Sequence, residues 1–206
     1  MTIMTCLGDS ITDCDHCFSS DLLGDGYVKM LAERFAQEGY SLQIRNCGTD
    51  GFTVQRLIQR VKTDSSVIGD IITVLIGIND IGMMMNTNRT PAQQEEMMVS
   101  FQEHYLELLT ILTKSSSRIV LMEPFVFSCP AFYENWKPLL HKMCRILESL
   151  AGQFHLPLLS LQRELDEEAR RYGYSAITTD GVHLTRQGQQ YLADRLYSCI
   201  AEHNYV

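Results

Sequence analysis

The chain opens on a short apolar run, Thr2 to Leu7 (TIMTCL), breaks on Gly-Asp-Ser, and then alternates apolar runs with helix-period stretches to its end. Short apolar runs bounded by turn residues read as strands, and apolar positions three and four apart read as one face of a helix. Thr2 to Leu7 is therefore a first strand. From Tyr27 to Glu38, Val28, Leu31, Ala32 and Phe35 share a helical face, and Gly39 is a natural stop. Ser41 to Asn46 (SLQIRN) is a second, more polar strand, as suits a sheet edge, and Val54, Leu57, Ile58 and Val61 mark another amphipathic helix. Asp70 to Gly77 (DIITVLIG) is apolar on both faces and so belongs at the centre of a sheet. Thr90-Pro91-Ala92-Gln93 resembles a capping box with proline at the first helical position. The helix it opens carries Met97, Met98, Phe101, Tyr105, Leu108, Leu109 and Leu112 on its inner side. Arg118 to Pro124 and His155 to Leu161 are the fourth and fifth strands, with a helix from about Glu134 to Gly152 between them. A Glu- and Arg-rich helix follows Leu161, and a last one runs from Thr185 to about His203. Strands alternating with helices predict a parallel sheet covered on its faces, and residues 1–206 are expected to form one α/β domain without repeats or linkers.

Charge and composition narrow the function classes. The 206 residues are 45% hydrophobic and 20% charged, ordinary for a globular chain, and long enough to bury a proper core. The formal net charge of −8, with no basic block, argues against nucleic acid or an anionic membrane surface as partner. No apolar run reaches the roughly 20 residues of a membrane span, and the first residues lack a signal peptide's basic start. Seven cysteines without a dense framework read as mostly free thiols in a reducing compartment, so the expected location is cytoplasmic.

The unusual residues follow the strands. In open parallel sheets, ligands bind beyond the carboxyl ends of the strands, where strand order reverses. Strand one ends in Gly8-Asp9-Ser10, strand two runs into NCGTDGFT (Asn46 to Thr53), and strand three ends in GIND (Gly77 to Asp80). The loop before the last helix reads TTDGVHLT, Thr178 to Thr185. All four should face one rim. Ser10 at a helix start needs a base to become a nucleophile, and His183 is the best candidate. Asp180, three residues earlier, is close enough to bond the other ring nitrogen and fix its tautomer. Ester cleavage also needs donors for an oxyanion, which the backbone N–H groups of Ser10 and Gly51 and the side-chain amide of Asn79 could supply. Each segment alone has a plainer reading: Ser10 as a helix cap, Asp180-Gly181 as a turn, Asn79-Asp80 as a capping loop. One reaction accounts for all four together.

With GDSIT, NCGTDGFT, IGIND and DGVHLT in this order, the whole chain resembles a GDSL-type esterase of the SGNH hydrolase superfamily. The resemblance implies Ser10 as nucleophile, Asp180 and His183 as the rest of a triad, and Gly51 and Asn79 as oxyanion donors beside Ser10. It also implies a three-layer α/β/α sandwich with a five-stranded parallel sheet in the flavodoxin-like order 2-1-3-4-5, and neither metal nor organic cofactor. The segments RIVLMEPFVF and GDGYV are similar to a branch of carbohydrate acetylesterases.

The expected reaction is hydrolysis of short-chain, acetyl esters on a carbohydrate through an acyl-enzyme, the partner being a small-molecule ester and the protein a monomer or a homo-oligomer. The alternatives are a lysophospholipase or acyl-thioesterase for longer chains, or a non-catalytic glycan-binding module. Ile81 to Asn86 (IGMMMN) could line an acyl pocket, although methionines are more often core filler. Phe125, Phe127, Phe132, Tyr133 and Trp136 could stack on a sugar or a fatty chain, or pack beneath a loop. Asp9 and Asp80 read as loop-ordering residues rather than as a glycosidase pair. Cys14-Asp15-His16-Cys17 is half a zinc site at most and lacks a thioredoxin context, so a structural reading is preferred, with a redox switch at Cys14 as the sharper alternative.

Overall fold

The computed structural model describes residues 1–86, 88–116 and 118–206, and of Asn86 the backbone alone. Five strands, β1 (Thr2–Gly8), β2 (Leu42–Gly48), β3 (Ile71–Leu75), β4 (Arg118–Met122) and β5 (Leu158–Leu159), form one parallel sheet in the order β2-β1-β3-β4-β5. The most apolar run is central and fully buried, and the polar second strand lies at an edge, because only an interior strand is covered on both faces and both flanks.

The helices are α1 (Ser10–Asp13), α2 (Tyr27–Gln37), α3 (Val54–Thr63), α4 (Ile78–Asn86), α5 (Pro91–Leu112), α6 (Lys137–Phe154), α7 (Gln162–Tyr172), α8 (Tyr174–Ile177) and α9 (Arg186–Glu202). The α2 helix packs on α9, and α5 packs on both α3 and α6. Right-handed crossovers from a sheet of this order put the first pair on one face and the other three on the opposite face, which makes three layers. The capping box at Thr90 forms as expected: its hydroxyl accepts from Gln93 N–H, and Gln93 reaches back to Thr90 N–H.

Three local readings differ from the pattern. The fifth strand shrinks from seven expected residues to Leu158–Leu159. His155 is spent as the left-handed cap of α6, Pro157 has no N–H for the ladder, and Leu161 N–H turns aside to Glu123 (3.0 Å). Asn79-Asp80, read as a loop, lies in the first turn of α4, where Ile81 N–H closes onto Gly77 O (3.1 Å). The stretch before α6 is a 3-10 turn from Ala131 to Trp136, so the α-helix starts later than the apolar period suggested.

Register places the site. Gly8, the last residue of β1, pairs with Gly48 on β2 and with Leu75 on β3. The three strands therefore end level, and the segments that follow leave the sheet side by side, where strand order reverses between β1 and β3.

Candidate active site

Ser10 is separated from β1 by Asp9 alone and begins the four-residue α1. The plainer reading of this serine as a cap is settled by its neighbour: Asp9 is the N-cap, and its carboxylate accepts Ile11 N–H at 3.1 Å. The Ser10 hydroxyl is thus left for another partner, and Oγ lies 2.8 Å from His183 Nε2. His183 Nδ1 lies 2.6 Å from Asp180 Oδ2. A carboxylate only accepts, so Nδ1 carries the proton, and Nε2 takes the hydrogen bond from Ser10. This is the geometry in which an imidazole can remove a hydroxyl proton. So short a helix offers little macrodipole, and the local charge around Ser10 comes from its side-chain neighbours.

The Asp180 loop is held from several sides. Its Oδ1 accepts the N–H groups of Val182 (2.9 Å) and His183 (2.7 Å). His183 O accepts from Thr178 Oγ1 (2.7 Å) and Thr179 N–H (2.9 Å), and Gly181 O accepts from Phe127 N–H (2.8 Å). Partial burial works to raise the Asp180 pKa, but the hydrogen bonds from the His183 ring and from the two backbone N–H groups outweigh it and hold the carboxyl below its ordinary value. The pair stands half open to solvent, with side-chain exposures of 46% for His183 and 50% for Asp180.

The loop after β2 is stitched to its neighbours. Thr49 N–H donates to Gly8 O (3.1 Å), Asp50 N–H to Asp13 Oδ2 (3.0 Å), and Arg60 to Thr49 Oγ1 (2.6 Å). Asn46, on β2, spreads its amide over the carbonyls of Thr12 (2.7 Å), Asp13 (3.1 Å) and Leu23 (2.8 Å), fixing the segment that follows Ser10. The sequence offered no role for this asparagine, and only its place at the end of a polar edge strand hinted at one. Gly48 lets the chains meet, since a Cβ there would overlap the Asp13 backbone. Gly51 has open space around it but a φ of +68°, so glycine is required there for the backbone turn. Among the described residues, neither Ser10 N–H nor Gly51 N–H has an acceptor. Asn79 Nδ2 donates to Phe52 O (2.9 Å), which aligns the amide beside the Gly51 loop.

Gly51, Asn79, Asp180 and His183 line one cavity of about 680 Å³. Ser10 lines an adjoining cavity of about 370 Å³ with Asp13 and Asp50, and His183 borders both. The larger cavity is walled by Tyr133, Trp136 and Met83 and by Gln55 and Arg56 of α3. Gln55 and Arg56 carried no signal, because on a helix with a clear apolar face they look like solvent-facing residues. The aromatic segment divides: Phe125 and Phe127 are core residues, whereas Phe132 is exposed and Tyr133 packs edge-on against Trp136 at the wall. The methionine run divides too, with Met84 in the core and Met83 at the cavity. No group of three or more His, Cys, Asp or Glu side chains suited to a metal occurs among the described residues. Nor is any helix among them long and apolar enough to cross a membrane.

Asp9 and Asp80 order loops, Asp80 by accepting Val54 N–H (3.2 Å) at the start of α3. Both are buried. Burial pushes the Asp80 carboxyl up to about 7, opposed by the Val54 N–H and reinforced by the negative charge of Asp9. Burial likewise lifts Asp9 to about 7, opposed by the Ile11 N–H and the charge of His183. Unfolded aspartates titrate near 4, so as pH rises from about 4 to 7 the unfolded chain sheds protons that the folded chain still holds. Stability therefore falls with rising pH across that window. Asp80→Asn keeps an acceptor for Val54 but cannot ionise. Its Tm, measured relative to the unsubstituted protein, should rise from pH 5 to pH 8; a difference independent of pH would remove Asp80 as the cause.

A doubly wound parallel sheet whose rim gathers serine, glycine, asparagine and histidine segments at level strand ends is the frame of the SGNH-type hydrolases. The chain belongs to the GDSL-like lipase/acylhydrolase family, whose model matches residues 6–191, and it is a carboxylic ester hydrolase. No curated protein sequence matches it significantly. Its fold is shared with LAE5, an α/β hydrolase from the metagenome of Lake Arreo, Spain (TM-score 0.79, 23% identity, 97% of this chain and 95% of that one). It is shared as well with Axe2, an acetylxylan esterase from Geobacillus stearothermophilus (TM-score 0.80, 21% identity, 97% and 94%). A third likeness is to a candidate GDSL-like lipase from Parabacteroides merdae (TM-score 0.84, 23% identity, 97% and 95%).

Proposed function

We propose that residues 1–206 act as one hydrolase domain that cleaves short-chain, acetyl esters of a carbohydrate by a Ser10–His183–Asp180 triad. The observation that carries this reading is the unbroken chain of hydrogen bonds from Ser10 Oγ to His183 (2.8 Å) and on to Asp180 (2.6 Å). His183 takes the Ser10 proton as Oγ attacks the ester carbonyl, and Asp180 stabilises the imidazolium that results. The tetrahedral oxyanion is met by the N–H groups of Ser10 and Gly51 and by the amide of Asn79. Collapse expels the alcohol, which takes the proton from His183, and leaves an acetyl group on Ser10. Water, deprotonated by His183, then releases acetate and restores the serine.

The carbohydrate part rests on the cavity. Its walls mix aromatic rings, Tyr133 and Trp136, with polar groups from Gln55 and Arg56, a combination suited to a sugar face and its hydroxyls. The sheet architecture shared with an acetylxylan esterase points the same way. A longer-chain reading draws on a side recess bordered by Met83, Met84, Met97 and Phe101, but at about 110 Å³ it adds little room for an acyl chain.

The experiment compares hydrolysis of p-nitrophenyl acetate with that of the octanoate. Preference for acetate is expected, with kcat/KM higher by about tenfold or more, because a recess of about 110 Å³ cannot take the longer chain without displacing its walls. Octanoate preference would favour the lysophospholipase or thioesterase reading, and the absence of serine-dependent turnover of either ester would favour a binding module. The cytoplasm remains the proposed location, on the cysteine usage.

A further inference from the structure

Beside the Ser10 rim, Asp13, His16 and Cys17 form a second relay that shares no residue with the first. His16 Nδ1 lies 2.8 Å from Asp13 Oδ1, and His16 Nε2 lies 3.3 Å from Cys17 Sγ. The carboxylate fixes the proton on Nδ1, so Nε2 accepts from the thiol S–H. The relay is anchored at its acidic end. Asp13 Oδ1 also accepts His16 N–H (3.3 Å), and Oδ2 accepts Asp50 N–H (3.0 Å). His16 and Asp13 are mostly covered, with side-chain exposures of 15% and 19%, whereas Cys17 is exposed. A sheltered base facing an accessible sulfur is the reverse of an inert structural cysteine.

The other thiol of the C-x-x-C does not share this setting. Cys14 is half-buried, and burial together with the charges of Asp15, Asp25 and Asp13 pushes its thiol above the ordinary value. The surroundings also carry a sign. The first 28 residues contain Asp9, Asp13, Asp15, Asp21 and Asp25 but no Lys or Arg, and Lys29 pairs with Asp21 and Asp25. Such a field draws cations and repels anions.

We propose that Cys17 is a reactive thiol that exchanges with small cationic disulfides, with His16 as its base and Asp13 holding His16 in place. In the exchange, the Cys17 proton passes to His16 Nε2 as the sulfur attacks one sulfur of the disulfide. A new S–S bond forms, the old one breaks, and the departing thiolate takes the proton from His16. Cys17 is oxidised to a mixed disulfide, and the small disulfide is reduced to one free thiol.

The test treats the intact protein with cystamine at neutral pH and follows each cysteine by site-resolved mass spectrometry. Cys129 is the internal comparison, being exposed and having no imidazole hydrogen bond among the described residues. Cys17 should react about 10²-fold faster than Cys129, the lower end of the assistance a positioned base provides. Its rate ratio for cystamine over glutathione disulfide, an anion, should exceed the same ratio at Cys129. His16→Gln should bring Cys17 down to the Cys129 rate. Equal rates at Cys17 and Cys129 in the unsubstituted protein would overturn the proposal without any variant. An unchanged Cys17 rate in His16→Gln, or no charge preference, would overturn it as well.

Discussion

Ser10→Ala is expected to lower kcat for a short-chain ester by about 10⁴- to 10⁶-fold while leaving the protein folded. The size follows from what the hydroxyl does and does not do. It is the only described group bonded to His183 Nε2, so without it the imidazole has no nucleophile to activate. It has no capping duty, because the Asp9 carboxylate holds the start of α1. The substitution should therefore change stability by less than about 1 kcal/mol, as is usual for a side chain outside the core. Rates on p-nitrophenyl acetate, with Tm as the folding control, check both halves. A variant within tenfold of the original rate would move the nucleophile elsewhere.

Asp180→Asn should lower kcat by about 10³- to 10⁴-fold, although it alters a single atom group and keeps the loop. Asparagine's oxygen can still accept the N–H groups of Val182 and His183, as Asp180 Oδ1 does. Its NH₂ group, however, would face His183 Nδ1 in place of Asp180 Oδ2. The ring would then accept at Nδ1 and carry its proton on Nε2, where it donates to Ser10 instead of accepting from it. The base would be blocked rather than merely weakened. Steady-state kinetics beside Asp180→Ala distinguish this from loss of charge, since alanine imposes no tautomer and should retain more activity. Equal rates for Asp180→Asn and the unsubstituted protein would take Asp180 out of the mechanism.

Local chemistry made much of the frame legible. Apolar runs set the strands, the three- and four-residue spacing set the long helices, and the Thr90 capping box was visible as four letters and is present as two reciprocal hydrogen bonds. These depend on residues within a turn or two of each other, so a window of sequence contains their cause. Where the window failed, a distant partner or a special backbone had intervened. The fifth strand was shortened by a left-handed cap at His155 and by Pro157, and α4 hid behind a Gly-Ile-Asn-Asp pattern that looked like a loop.

The sequence by itself determined the alternation of strands and helices, the central place of the Ile71–Leu75 run, and the four segments for which we propose hydrolytic chemistry. Only the tertiary structure decided which of those groups touch. Ser10 and His183 are 173 positions apart, and their hydrogen bond exists because β1, β2 and β3 end in register and because Phe127 and Thr178 hold the His183 loop over that edge. The same holds for Asn46 beneath the Ser10 segment, for Arg56 and Gln55 at the cavity wall, and for the division of five aromatics among core, cavity wall and exposed surface. Periodicity records which face of an element is buried. What that face meets is fixed by packing between elements distant in sequence, and no local pattern encodes it.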